Sequence, residues 1–147
     1  MSNVYTKIKD FRKRFHGGIA WRLRRHSDVI ERHLNPGEEV LYAFCGQKNI
    51  GPFEWFDTYV CVITSKRMLF GHKNLLWGYV LSSVTPDLYN DLQIFQGLIW
   101  GKIVIDTAKE TIILTNLPKN SLDDIETNIS EYMMEEKKKY ARREDKQ

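Results

Sequence analysis

Thr58–Lys73 reads TYVCVITSKRMLFGHK, and the fold is decided here. Thr58–Thr64 is a run of β-branched and aromatic residues, Ser65-Lys66 interrupts it, and Met68-Leu69-Phe70 resumes it. Such residues suit a pleated, half-buried surface, and a short polar break between two runs reads as a hairpin. Side chains alternate along a strand, so Tyr59, Cys61 and Ile63 share one face while Val60 and Val62 share the other. Both faces are apolar. The strand should be covered on both sides, in the middle of a small barrel or sandwich.

Further strand signals flank this hairpin. Glu39–Cys45 precedes it, and Leu75–Val84, Leu92–Phe95, Lys102–Asp106 and Thr111–Leu117 follow, separated by Pro86-Asp87, Gly97, Gly101 and the turn at 107–110. Between the first two strands runs a long connection, Gly46–Phe56, with Gly51-Pro52 inside it. Seven short, regularly spaced strands predict a mainly β domain, an antiparallel barrel or sandwich.

Helices are expected at both ends. Val4, Ile8, Phe11 and Phe15 fall on one side of a helix over residues 4–16, which Gly17-Gly18 ends. Ile19, Leu23, Ile30 and Leu34 stripe a second helix over 19–34, stopped by Asn35-Pro36-Gly37. After Pro118, Ser121 is placed to cap a third helix with Asp124 at the capping-box position. Leu122, Ile125, Ile129 and Met133 are its apolar stripe. The division expected is a basic amphipathic arm over 1–33, a strand domain over 34–134, and a charged helical or frayed tail over 135–147.

This order of elements resembles a bacterial pleckstrin-homology-like domain. The resemblance is carried by Leu34-Asn35-Pro36-Gly37-Glu38-Glu39-Val40 entering the first strand and by Val62-Ile63-Thr64-Ser65-Lys66-Arg67-Met68-Leu69-Phe70 at the second hairpin. It covers roughly residues 34–134. It implies a seven-stranded antiparallel barrel closed by a C-terminal amphipathic helix, with the N-terminal helices as an addition, and it implies no reaction. In phosphoinositide-binding relatives the loop between the first two strands is rich in Lys and Arg. Here that loop, counted from Gly46 to Asp57, holds only Lys48, against Glu54 and Asp57, too little positive charge for a polyphosphate head group.

Composition bounds the rest. The chain has 147 residues, 42% hydrophobic and 28% charged, as expected for a soluble domain with a real core. No apolar run approaches the roughly 18 residues of a membrane span, and no secretory leader is visible. Cys45 and Cys61 both lie in expected strands and read as buried thiols rather than a cross-strand disulfide. A cytoplasmic protein, peripheral at most, is expected. The net charge of +3 is uneven. Residues 1–32 hold nine Lys/Arg against three Asp/Glu, and residues 33–130 hold seven against eleven. A basic arm on an acidic body suggests an anionic partner for the arm or the body itself.

No catalytic or cofactor site is legible. The four histidines have no metal-ligand spacing, although His26 and His33 stand seven apart on one expected helix. There is no glycine-rich phosphate loop, and no basic stripe with interleaved aromatics favours nucleic acid. Three candidate contact groups stand out. Val4, Ile8, Phe11 and Phe15 with Lys7, Arg12, Lys13 and Arg14 suit a membrane surface, a self-association contact or packing on the barrel. Phe53, Trp55 and Phe56 are costly in an exposed loop and mark a partner contact or packing beneath the loop. Lys66, Arg67 and Lys73 form a weaker anion-contact group. Trp77 and Trp100 read as core or strand-face residues. The function expected is a non-enzymatic binding or adaptor module acting through protein contacts or self-association. The alternative is a peripheral module that binds anionic lipid through the N-terminal helix.

Overall fold

The computed structural model describes residues 3–17, 20–49 and 56–147, with Asn49 and Phe56 described by their backbone alone. Two helices, α1 (Asn3–Arg14) and α2 (Leu23–Glu31), precede seven strands. These are β1 (Val40–Asn49), β2 (Phe56–Thr64), β3 (Met68–Lys73), β4 (Tyr79–Val84), β5 (Tyr89–Gln96), β6 (Trp100–Thr107) and β7 (Thr111–Pro118). Helix α3 (Leu122–Glu144) closes the chain. The strands form one antiparallel sheet in the order β4-β3-β2-β1-β7-β6-β5, curled into a half-barrel.

The central hairpin is where its residues predict. Register pairs Cys61 with Phe70 and Val62 with Leu69, and every residue from Thr58 to Thr64 is buried. The two thiols are free: Cys61 pairs with Phe44 and Cys45 with Val60, so they project from opposite faces. Burial pushes Cys45 up to about 11 and Cys61 well above the usual thiol range, which leaves both unreactive.

The N-terminal helices share the core of the strands. Val4, Ile8 and Phe11 are fully buried, Phe15 packs at their edge, and Phe11 meets Tyr42 and Phe44 on β1 with ring centroids 6.4 Å apart in each case. The apolar stripe of the arm is therefore spent within the chain and is not presented to lipid or to a second copy. Its physical reason is area: a curled sheet of this size leaves one apolar side that these four residues cover, each large side chain contributing about 1.5–3 kcal/mol. Helix α2 lies on β3, where Gly71 leaves room for Ile30; a Cβ there would sit 2.6 Å from Ile30 Cγ1.

Several boundaries differ from expectation. Helix α2 starts at Leu23 because Arg22 is left-handed, with φ of 54°. β1 runs on to Asn49, and β4 starts only at Tyr79. Helix α3, by contrast, runs on to Glu144 beyond its apolar stripe, the helical form of the charged tail expected there. The capping box does not form: Ser121 Oγ donates to the Pro118 carbonyl at 2.7 Å, and Asp124 instead accepts from Tyr42 at 2.6 Å and pairs with Arg14 at 3.3 Å. The stripe of α3 docks as predicted, with Leu122, Ile125, Ile129 and Met133 at most 2% exposed.

Candidate functional site

Leu75, Leu76 and Trp77 were expected inside a strand, yet they form the tip of the β3–β4 hairpin. Their exposures are 75%, 79% and 78%, and Tyr79 and Val80 beside them are also exposed. The turn closes through the Asn74 amide, which donates to the Gly78 carbonyl at 3.1 Å. Gly78 has φ of +80°, a conformation glycine adopts without steric cost. Three large apolar side chains are thus held in solvent by a well-formed turn, which makes this tip a candidate contact site.

The base of the tip is pinned to α2. One Arg22 guanidinium nitrogen donates to the Lys73 carbonyl and the other to the Asn74 carbonyl, both at 3.2 Å. The Lys73 amide donates to His26 Nδ1 at 2.8 Å. His26 stacks on His72, with centroids 4.7 Å apart, and Tyr59 stacks on His72 at 5.0 Å. His72 Nδ1 faces the Thr58 carbonyl at 2.8 Å and Nε2 faces the Asp57 carboxylate at 3.1 Å, an acceptor beside each ring nitrogen. Burial, then the neighbouring His72, lowers His26 to about 4 and keeps it neutral.

One ligand atom each from His26, Asp57 and His72 lies within 4.8 Å of the others, a spacing that invites a metal. The donor chemistry does not fit. His26 Nδ1 uses its lone pair on the Lys73 amide, so in the neutral ring Nε2 carries the proton and has none to give. His72 and Asp57 remain, fewer than the three or four protein ligands of a zinc site. The cluster fastens α2 to β2 and β3. His33 takes no part; its Nδ1 meets the Val29 carbonyl at 2.6 Å and its Nε2 the Tyr79 hydroxyl at 3.1 Å.

The basic candidates separate. Arg67 is turned inward onto Glu38 at 2.9 Å and onto the His33 carbonyl at 2.9 Å, so it is spent on the fold and offers nothing to an external anion. Lys66 is exposed in the β2–β3 turn, at the far end of β3 from Lys73. Lys73 faces α2, where it lines a groove with Arg25, Asp28, Val29 and Arg32. On α1, Arg12 donates to the Gly17 carbonyl at 2.6 Å and Arg14 pairs with Asp124, while Lys13 is exposed and Lys7 half-buried. Phe53, Trp55 and the Phe56 side chain lie outside the described residues.

A second apolar tip joins β5 to β6. Leu98 is 90% exposed and Ile99 64%, and Lys102 lies over the Phe95 ring at 4.6 Å. Trp100 is not a core residue but lines a cavity of about 510 Å³ with His16, Ile99, Lys119 and Asp123. By register this tip is at the opposite end of the strands from the β3–β4 tip.

Sequence reasoning missed the first tip because an apolar run reads as strand, whereas Leu98 and Ile99 lie in the connection expected between Gly97 and Gly101. The signal for the first was present in Asn74 and Gly78, turn formers that bracket Leu75-Leu76-Trp77. Among the described residues, no helix is long and apolar enough to cross a membrane.

Curated proteins include no match to this chain. Among solved structures, the pleckstrin homology domain from Shewanella amazonensis SB2B is similar, with 15% identity over 84% of this chain and 94% of its own, and a TM-score of 0.44. The family model described as the bacterial PH domain matches residues 34–131, the span from the Asn-Pro-Gly turn through most of the buried stripe of α3. The chain belongs to the bacterial PH domain family.

Proposed function

We propose that the chain is a non-enzymatic binding module that docks on an anionic membrane surface. The β3–β4 tip enters the interface while the arginines of α2 meet the head groups. The observation that carries this reading is the exposure of Leu75, Leu76 and Trp77, each at 75% or more, on a turn fastened to an arginine-rich helix. Apolar side chains with a tryptophan gain free energy in the interfacial region, and nearby Lys and Arg add about 1 kcal/mol each at an anionic surface. Arg22 holds the tip, and Arg24 and Arg25 follow it on α2. The apolar stripe of α1 takes no part, because it is buried. Only its polar side remains for the surface.

Co-sedimentation with vesicles tests the reading. Binding to vesicles containing phosphatidylglycerol, weakened by salt and lost on Leu76→Ser with Trp77→Ser, is expected. No sedimentation at low salt overturns it. A tip-dependent dimer in light scattering without vesicle binding would move the function to self-association.

A further inference from the structure

We infer that the groove between α2 and the end of β3 binds a phosphate group bearing a neighbouring hydroxyl or ammonium donor. The chemistry stands on the groove itself, and only the choice of a lipid as its source rests on the membrane reading. The cavity is about 260 Å³ and is lined by Arg25, Asp28, Val29, Arg32 and Lys73. Arg25 on α2 and Arg32 at its C-cap, still in right-handed helical conformation, are seven apart and hence on one face, with Asp28 between them. Lys73 supplies the opposite wall.

Three cations lining one cavity repel one another, and several other arginines of this fold are relieved by a partner. Arg14 has Asp124, Arg22 has two carbonyls, and Arg67 has Glu38. Among the described residues, the side chains of Arg25, Arg32 and Lys73 make no ion pair and no hydrogen bond, and Asp28 pairs with none of them. A phosphate is the anion that guanidinium forks fit best, through two parallel hydrogen bonds from each. The backbone of Lys73 is already fixed, its amide on His26 and its carbonyl on Arg22, so binding need order only the side chain.

Asp28 sets the second half of the specificity. A carboxylate in the wall opposes a bare polyphosphate and accepts from a hydroxyl or ammonium beside the phosphate. Val29 offers an apolar floor for the carbon linker. The volume suits a small head group rather than an acyl chain. Arg25, Asp28, Val29 and Arg32 precede the span 34–131 that matches the family, and Lys73 lies inside it, so the extension adds four of the five lining residues to a strand of the family domain.

The test compares vesicles of equal charge containing phosphatidylserine, phosphatidylglycerol or phosphatidylmethanol, the last a phosphodiester with no donor. Glycerol 3-phosphate in solution, followed by amide chemical shifts, forms a second arm. The full chain should bind the first two lipids several-fold more tightly than the third. Asp28→Asn should erase that preference. Arg25→Gln with Arg32→Gln and Lys73→Gln should weaken all binding by about tenfold or more. Thermal melts confirm that each variant is folded. Equal affinity for the three lipids, unchanged in the triple variant but lost on altering the tip, overturns the groove and leaves membrane docking intact. Shifts at Arg25, Arg32 and Lys73 with glycerol 3-phosphate, without vesicle binding, support the groove with a free phosphate as ligand and overturn docking. No shift and no lipid preference overturns the groove outright.

Discussion

Arg67 forks onto Glu38, with Nε 2.9 Å from Oε1 and Nη2 3.1 Å from Oε2. The same carboxylate accepts from the Thr64 hydroxyl at 2.6 Å and from the Asn35 amide at 2.8 Å. The two segments that carry the sequence signature, residues 34–40 and 62–70, are therefore a single hydrogen-bonded cluster that locks the entry to β1 against the β2–β3 turn.

That pair predicts acid sensitivity. Burial raises the Glu38 carboxyl, but the hydrogen bonds from Arg67, Thr64 and Asn35 outweigh it and hold Glu38 at about 2. A carboxyl depressed in the folded state stabilises above its unfolded pKa and loses that contribution as pH falls. Stability should drop between about pH 4.5 and pH 2, by roughly 3 kcal/mol from this group at 1.36 kcal/mol per unit. Glu38→Gln should cost about 3–5 kcal/mol at neutral pH, because Arg67 is left without its counter-charge, and should flatten the acid limb of a denaturation series.

His26 acts in a higher window. Its folded value of about 4 lies below the ordinary 6.5, so protonation favours the unfolded chain. Its stabilising contribution is complete above about pH 6.5 and is lost progressively toward pH 4, amounting to about 3 kcal/mol. His26→Gln keeps an acceptor for the Lys73 amide and should remove this slope from melts recorded between those limits. An unchanged slope would show that His26 is not the group responsible.

The arm should behave as part of the core. Phe11→Ala is expected to cost about 3–5 kcal/mol, and removal of residues 1–16 should lower the melting temperature and raise dye binding. Light scattering should report an unchanged mass, since the stripe covers its own sheet and not a second subunit.

The hairpin tip should separate binding from stability. Leu76 and Trp77 are 79% and 78% exposed, so replacing each by serine should change stability by no more than about 0.5 kcal/mol while abolishing sedimentation with anionic vesicles.

Gly71 should report how closely α2 docks. Gly71→Ala places a Cβ 2.6 Å from Ile30 Cγ1, a close contact expected to cost about 1–3 kcal/mol. Combined with Ile30→Ala, the loss should be smaller than the sum of the two single losses, because the second change clears the space the first one needs.

The sequence by itself determined the elements, the covered central hairpin, and the apolar stripes of α1 and α3. These follow from periodicity, which depends only on backbone geometry. Thr58–Thr64 is apolar on both faces, and both are buried. Tertiary structure decided which charges are available. Arg67 and Lys73 look equivalent in sequence, but Arg67 faces a carboxylate across the β2–β3 turn while Lys73 faces Arg25 and Arg32 across a groove. It also decided which apolar residues are surplus. Val4, Ile8 and Phe11 found a sheet to cover, whereas Leu75, Leu76 and Trp77, with similar hydrophobicity, were left on a turn. Local pattern states what a side chain prefers; only the packed chain settles whether a neighbour is within reach to satisfy it.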